Sequence, residues 1–407
     1  FLDKHINTIR EYSFAAVFGG IIMGNAITTL GFVVFCASLI KGWKLGVAKE
    51  NLRFGNPLFI ALLFFVWMLA SFFWSENKAE FWDEILMKAP MGLTALALMG
   101  HKPGKLFSQA SLGINIGVLP VLAGIFCVLR NLFKLGGDVP ASELFVYEEL
   151  AGAMNMQPIY FSFFLVLGIF SLVELKPRVG KGYALKWIGI GLGALFVILL
   201  SSRMEILVMF SVGGLYSLYY GYKSGKLLKV LGLSLLGMAV GAGVIFSNPT
   251  NRTRFTEMLD FKTDYSQNKY GGRGLRIEKW SNAIEAIGDN LILGAGAGDM
   301  MDELYRVYAK NEFKVGIDNH YNPHNQYLQI ALTYGVIGLL LMLLLFFALI
   351  RYALRLKNYQ CLLFVGITML SMISESLWER QAGVMLGIFL LLVSCYVTMP
   401  SEKEAEV

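Results

Sequence analysis

The sequence predicts an all-α polytopic membrane protein with about twelve transmembrane helices. Three observations lead there. Hydrophobic residues make up 56% of the 407, against roughly 45–50% in a soluble domain. They fall in long runs with few charges, each of a length to cross a hydrocarbon core of about 30 Å, which takes roughly 20 helical residues. The runs do not alternate and outlast the roughly ten residues of a barrel strand, which excludes a β-barrel.

In chain order, residues 12–40 form one long apolar stretch softened at Asn25, Thr28 and Thr29. Its length fits one tilted helix or a broken pair, and the flanking Lys4 and Arg10 favour a pair. Further spans are read at 57–74, 81–99, 106–129, 155–175, 185–200, 205–222, 227–246, 328–350, 359–374 and 381–399. One large hydrophilic segment, 247–325, interrupts them. The expected division is an N-terminal bundle of about nine spans (1–246), the large loop (247–325) and three C-terminal spans (326–407). No internal repeat is evident, which weakens an inverted-repeat transporter.

The formal charge of +6 is carried mostly by short loops. Lys41, Lys44, Lys49 and Arg53 mark one loop as cytoplasmic. Lys102 with Lys105, the segment 176–186, the segment 223–229, and Arg351 with Arg355 and Lys357 mark others. The alternate connections are acidic or nearly uncharged. The positive-inside rule then puts the large loop on the far side from the cytoplasm. The charge therefore calls for no nucleic-acid partner. The four cysteines, Cys36, Cys127, Cys361 and Cys395, lie in apolar runs without metal-ligand spacing and read as small hydrophobes.

Two tempting motifs fail. "LILGAGAGDM" (residues 291–300) lacks the Gly-Lys-Ser/Thr of a phosphate loop and has Asp299 where a dinucleotide fingerprint needs its last glycine. A flexible turn, or backbone passing close to a ligand, is the better reading. His320 and His324 are four apart with Asp318 nearby, but Pro323 breaks the helix that a metal pair would need. No metal is expected.

The outer side carries arginines that the topology rule does not explain: Arg203 in "SSRMEI", Arg252 and Arg254 in "TNRTRF", Arg273 and Arg276 in "GGRGLRIEKW". Between residues 250 and 280 seven basic residues face four acidic ones. Arg203 sits between two apolar runs, at or just below the membrane surface. It either snorkels to the interface or grips an anionic lipid group, since guanidinium forks bind phosphate bidentately. The turn "ISESLWERQAG" puts Glu375, Glu379 and Arg380 on the same side. It is either a plain interfacial turn or a partner for those arginines. His324 stands just before the first of the three C-terminal spans and can exchange a proton near neutral pH. All of these emerge at one face of one membrane.

These residues carry a resemblance. "HNQYLQIALTYGVIG" has His324-Asn325, nine residues, Gly335, two residues and Gly338. With "RGLRIEKWSNAIEAIGDNLILGAGAG", "SSR" and "SESLWERQAG", it resembles the O-antigen ligase and polymerase superfamily of membrane glycosyltransferases. The resemblance implies a glycosyltransferase-C-like bundle in a Gram-negative inner membrane. It implies a glycan donor on undecaprenyl diphosphate, used at the periplasmic face. A ligase would pass the glycan to a sugar of lipid A–core, a polymerase to another lipid-linked repeat, and a protein oligosaccharyltransferase to serine or threonine. A ligase needs neither ATP nor metal, so no cofactor is expected. Arg203 and Arg273 or Arg276 would hold the diphosphate, with Arg252 and Arg254 as further contacts. His324 would assist the acceptor hydroxyl with inversion, or else bind the donor phosphate or orient the acceptor. Asn325, Glu375, Arg380, Gly335 and Gly338 would support it. The large loop after the ninth span and the "ES…ERQAG" turn favour the ligase. The oligosaccharyltransferase branch usually has a longer outer C-terminal extension, whereas this chain stops at Val407. A lipid or anion transporter is the competing class, and it predicts ionisable residues deep within several spans.

Overall fold

The computed structural model describes residues 2–103, 106–154, 156–175, 181–257 and 273–398. Their regular secondary structure is helical apart from a two-residue parallel bridge, Phe107–Ser108 with Val397–Thr398. The helices are α1 (Leu2–Met23), α2 (Asn25–Ile40), α3 (Leu45–Asn51), α4 (Pro57–Ala70) and α5 (Lys78–Met99). Then come α6 (Gln109–Leu132), α7 (Ala141–Leu144), α8 (Tyr147–Ala151), α9 (Pro158–Glu174), α10 (Lys181–Leu199), α11 (Arg203–Lys223), α12 (Leu227–Ser247) and α13 (Pro249–Glu257). The rest are α14 (Arg273–Asp289), α15 (Met300–Lys310), α16 (Lys314–Asp318), α17 (Gln326–Arg355), α18 (Tyr359–Ser371), α19 (Gln381–Val384) and α20 (Leu390–Ser394).

Each apolar run read from the sequence lies on helix among the described residues. Among the described residues four helices are long and apolar enough to cross a bilayer by length and composition, and up to six if two bent helix pairs each count as one span. Pro57–Phe73, Tyr359–Ser371 and Gln381–Ser394 are apolar but shorter. The stretch 12–40 is a helical hairpin that turns at Gly24, whose φ of 147° only glycine takes readily. Its arms lie so close that a Cβ on Gly20 would meet Thr28, and one on Gly31 would meet Ala16 and Val17.

The residues form two packing units. One comprises the chain up to Gly20, Asn25–Ser108 and the helices from α14 onward; the other comprises Ile21–Gly24 and α6–α13. In the first, α4 packs along α17 and α5. Trp378 fills the seam, its ring 6.2 Å from both Phe64 and Phe346. In the second, α6 and α9 approach through glycines: a Cβ on Gly117 would press on Leu172, and one on Gly168 on the Ile116 carbonyl. Such small-residue contacts suit helices that gain little from burying apolar surface against one another in lipid.

The runs were read as carrying few charges, and one of those few, Lys88, lies buried inside 81–99 at 2% exposure. Its ammonium pairs with Glu84 one turn earlier and with Glu379, 3.0 Å away in the turn before α19. Glu84 and Lys88 are four apart, so they share a helix face.

Candidate functional site

The site is built around a break in α17. Gly335 has φ 68°, ψ −172°, so two helical segments meet there at a kink. A break strands backbone groups that must find other partners. Here the glycine segment supplies them. The amides of Ala295 and Gly296 donate to the carbonyls of Leu332 and Thr333 (2.8 and 2.9 Å), and the Val336 amide donates to the Leu291 carbonyl (2.8 Å). Trp67 Nε1 donates to the Tyr334 carbonyl at 3.0 Å. A Cβ on Gly294 or Gly335 would run into the other strand's backbone. "LILGAGAGDM" was read as a flexible turn or as backbone near a ligand; it is backbone packed on backbone. Asp299 then accepts from the amides of Glu76 and Asn77 (2.6 and 2.8 Å), anchoring the segment at the start of α5.

The entrance to α17 is fixed just as closely. Asn325 is its N-cap and accepts from the amides of Tyr327 and Leu328 (3.0 and 3.1 Å), as asparagine commonly does at this position. Its amide side chain donates to the Ile373 carbonyl and its backbone N–H to Ser376 Oγ. Gln326 donates through its backbone to the Met372 carbonyl and accepts from the Trp378 amide. The His-Asn motif is therefore stapled to the turn that carries Glu375. Asn322 takes the His324 amide at 2.9 Å, and His324 has φ 47°. This closes an Asx turn that aims the imidazole at that carboxylate.

His324 Nδ1 lies 3.1 Å from Glu375 Oε2; the histidine is 31% exposed and the glutamate 10%. With the carboxylate accepting from Nδ1–H, Nε2 keeps its lone pair and can accept a proton. Burial pushes the Glu375 carboxyl up. The hydrogen bond and charge of His324, with the charges of Arg276 and Lys279, outweigh that and hold it below its ordinary value. Arg276, on α14, is lowered by burial and raised back by Glu375, and a guanidinium stays cationic throughout. Lys279 stands one turn further along the same helix, its ammonium 4.2 Å from the Tyr321 ring centre. Tyr321 in turn sets its ring 6.0 Å from that of His324.

Of the residues singled out in the sequence, His324, Asn325, Glu375 and Arg276 come together in the first unit. Arg273 opens α14, and its side chain lies outside the described residues. Arg380 is exposed at the start of α19. Gly335 forms the break, and Gly338 follows within α17 against Tyr334. The other arginines belong to the second unit. Arg203 is the first residue of α11, beside the fully buried Glu205. Ser201 bonds Asn251 and so ties that turn to α13. Arg254 on α13 is 6% exposed with its guanidinium 3.4 Å from the Tyr147 ring centre, whereas Arg252 is exposed. His320 does not join His324; it hydrogen-bonds Tyr305 at 3.0 Å. Sequence reasoning counted Lys279 only among the basic residues of 250–280, without a role, and passed over Tyr321. The spacing of Arg276 and Lys279, three apart on a helix, was the available signal.

Residues 188–343 match the family model described as O-Antigen ligase. Over that segment the chain is similar to the O-antigen ligase/polymerase superfamily, which supports the resemblance read from its motifs. The matched segment contains the paired glycines, His324 and every candidate site arginine except Arg380; it stops short of Glu375. No curated protein matches the chain. That similarity and the apolar helices together support a membrane protein with ligase- or polymerase-type, glycosyltransferase-like activity. They imply a lipid-linked glycan and an acceptor as its substrates.

Proposed function

We infer that the protein is an O-antigen ligase, moving a glycan from undecaprenyl diphosphate to a sugar hydroxyl of lipid A–core. The observation that carries this is the His324–Glu375 pair at 3.1 Å beside Arg276. It joins a proton acceptor to a cation suited to a phosphate. The acceptor oxygen attacks the anomeric carbon from the face opposite the diphosphate, and its proton passes to His324 Nε2. The bond from the anomeric carbon to the diphosphate oxygen breaks, and its electron pair leaves with the diphosphate. The anomeric centre inverts. Arginines already in place meet the developing charge, so the reaction calls for neither metal nor ATP. Arg276 is the first contact, with Arg273 on the same helix as a further ligand.

The surrounding architecture on this reading is a glycosyltransferase-C-like bundle of about twelve spans, in a Gram-negative inner membrane. Segments 1–246 and 326–407 flank a periplasmic loop domain, 247–325. Purified protein given undecaprenyl-diphosphate glycan and EDTA, with and without lipid A–core, tests the reading. Glycan on lipid A–core is the expected product. Longer lipid-linked glycan, with lipid A–core untouched, makes the protein a polymerase instead. Loss of transfer in EDTA, restored by a divalent ion, removes the metal-free mechanism.

A further inference from the structure

The buried face of α14 carries one residue that does not belong in a core. Leu275, Lys279, Asn282, Ala283 and Ala286 are its buried positions. Their spacing of four, three, one and three is the stripe by which a helix faces its neighbours. Leu275, Ala283 and Ala286 do pack into an apolar cluster with Leu304, Val307 and Tyr308. Lys279 occupies the same stripe at 5% exposure. Lysine is almost never buried unless paired. Yet among the described residues no carboxylate comes within ion-pair distance of Lys279.

Among the described residues, the groups facing it are few. Arg276 stands beside it on α14. Tyr321 offers its ring from the segment before α17, a cation–π contact that compensates part of a charge. Glu375 acts on it from the turn before α19. That carboxylate also answers Arg276 and is already hydrogen-bonded to His324. Two cations thus share one engaged carboxylate, and a positive charge is left over in a semi-enclosed place next to a proton acceptor. Burial first, and the neighbouring Arg276 second, bring Lys279 down to about 8, with Glu375 opposing them. A residue kept only for packing would be more stable there as methionine.

We propose that Lys279 is a direct ligand of the donor's diphosphate, working with Arg276 on the same face of α14. This rests on the glycosyl-transfer reading above. The two phosphates of the leaving group need two sources of positive charge. Arginine supplies a planar fork and lysine a compact point charge. Because Lys279 loses its proton as pH rises through about 8, donor affinity falls on the alkaline side.

The test uses the purified full chain in detergent. Undecaprenyl diphosphate binding is followed by tryptophan fluorescence at pH 7 and pH 9, with inorganic diphosphate as a headgroup-only competitor. Wild type should bind several-fold more weakly at pH 9. K279M should bind roughly 10-fold more weakly at pH 7, as for a lost charge-assisted hydrogen bond, and should show no further drop at pH 9. K279R should hold its affinity at both pH values. Inorganic diphosphate should compete with the lipid in wild type and lose that ability in K279M. K279M should melt no lower than wild type at pH 7, because it removes a buried charge. Wild-type affinity in K279M, an unchanged alkaline drop in K279R, or equal competition in both proteins overturns the proposal. Lys279-dependent binding without glycan transfer would sink the ligase reading and leave this one standing. Glycan transfer with Lys279-independent binding does the reverse.

Discussion

His324 holds a left-handed backbone conformation that destabilises a non-glycine residue by about 1 kcal/mol or more. The Asx bond from Asn322 and the cap at Asn325 offset it. The gain is an imidazole whose Nδ1 is committed to Glu375, which fixes the tautomer. His324→Ala should lower glycan transfer by on the order of 10²- to 10⁴-fold, with donor affinity within a few-fold of wild type. A loss of donor binding of the same size would instead make His324 a phosphate ligand. Glu375→Gln should preserve the hydrogen-bonded turn but release the tautomer, giving a loss in kcat of about 10²-fold. The same carboxylate has a second signature. Its pKa is held below the ordinary value in the folded protein, so the stability it contributes is present above the unfolded value of about 4.3. That stability is lost as pH falls through the folded value. The melting temperature of wild type should therefore fall more steeply below about pH 4 than that of Glu375→Gln. Parallel acid limbs in the two proteins would contradict this assignment.

At the scale of elements, the broken α17 and the glycine segment are one device. Each supplies the backbone partners the other lacks, and neither Gly294 (φ 77°) nor Gly335 (φ 68°) tolerates a side chain. Gly335→Ala and Gly294→Ala should each destabilise the protein by about 2 kcal/mol or more. The double variant should fall well short of their sum, since both open the same clasp. Gly288→Ala is the control. It lies within α14 with nothing within 4 Å of an added Cβ, and should stabilise by roughly 0.5–1 kcal/mol. Additive losses at Gly294 and Gly335 in thermal melts would separate the two halves of the device. This element also marks where sequence reading stops. The apolar runs were legible as helices because twenty residues without charge have few alternatives. His324-Asn325 was legible because a proline and a cap mark a helix start. The break at Gly335 was not, because a glycine inside an apolar run reads equally as helix packing. Its partner segment lies some forty residues away, and that pairing is a tertiary fact. The pairing of Lys88 was missed for the same reason: Glu379, which it meets, is nearly three hundred residues downstream.

At the scale of the whole molecule, the charged loops and the site make one joint demand on topology. The positive-inside rule would put Lys223, Lys226 and Lys229 on the cytoplasmic side and the whole of α14–α16 on the other. The proposed chemistry needs the same arrangement, since a periplasmic donor must reach His324 without crossing the bilayer. A cysteine-free background, with Cys36, Cys127, Cys361 and Cys395 replaced, allows a direct test by single-cysteine labelling in intact cells. Lys314 and Lys223 are both exposed, so Lys314→Cys and Lys223→Cys are open to reagent. A membrane-impermeant maleimide should modify Lys314→Cys in cells whose outer membrane has been permeabilised. It should reach Lys223→Cys only after the inner membrane is broken. The reverse pattern would put His324 and Glu375 in the cytoplasm, and both the span count and the donor assignment would fall with it. Labelling of both sites in intact cells would mean that the loops were misassigned. It would leave the His324–Glu375 pair without a membrane side, and so without the lipid-linked donor that gives the pair its purpose.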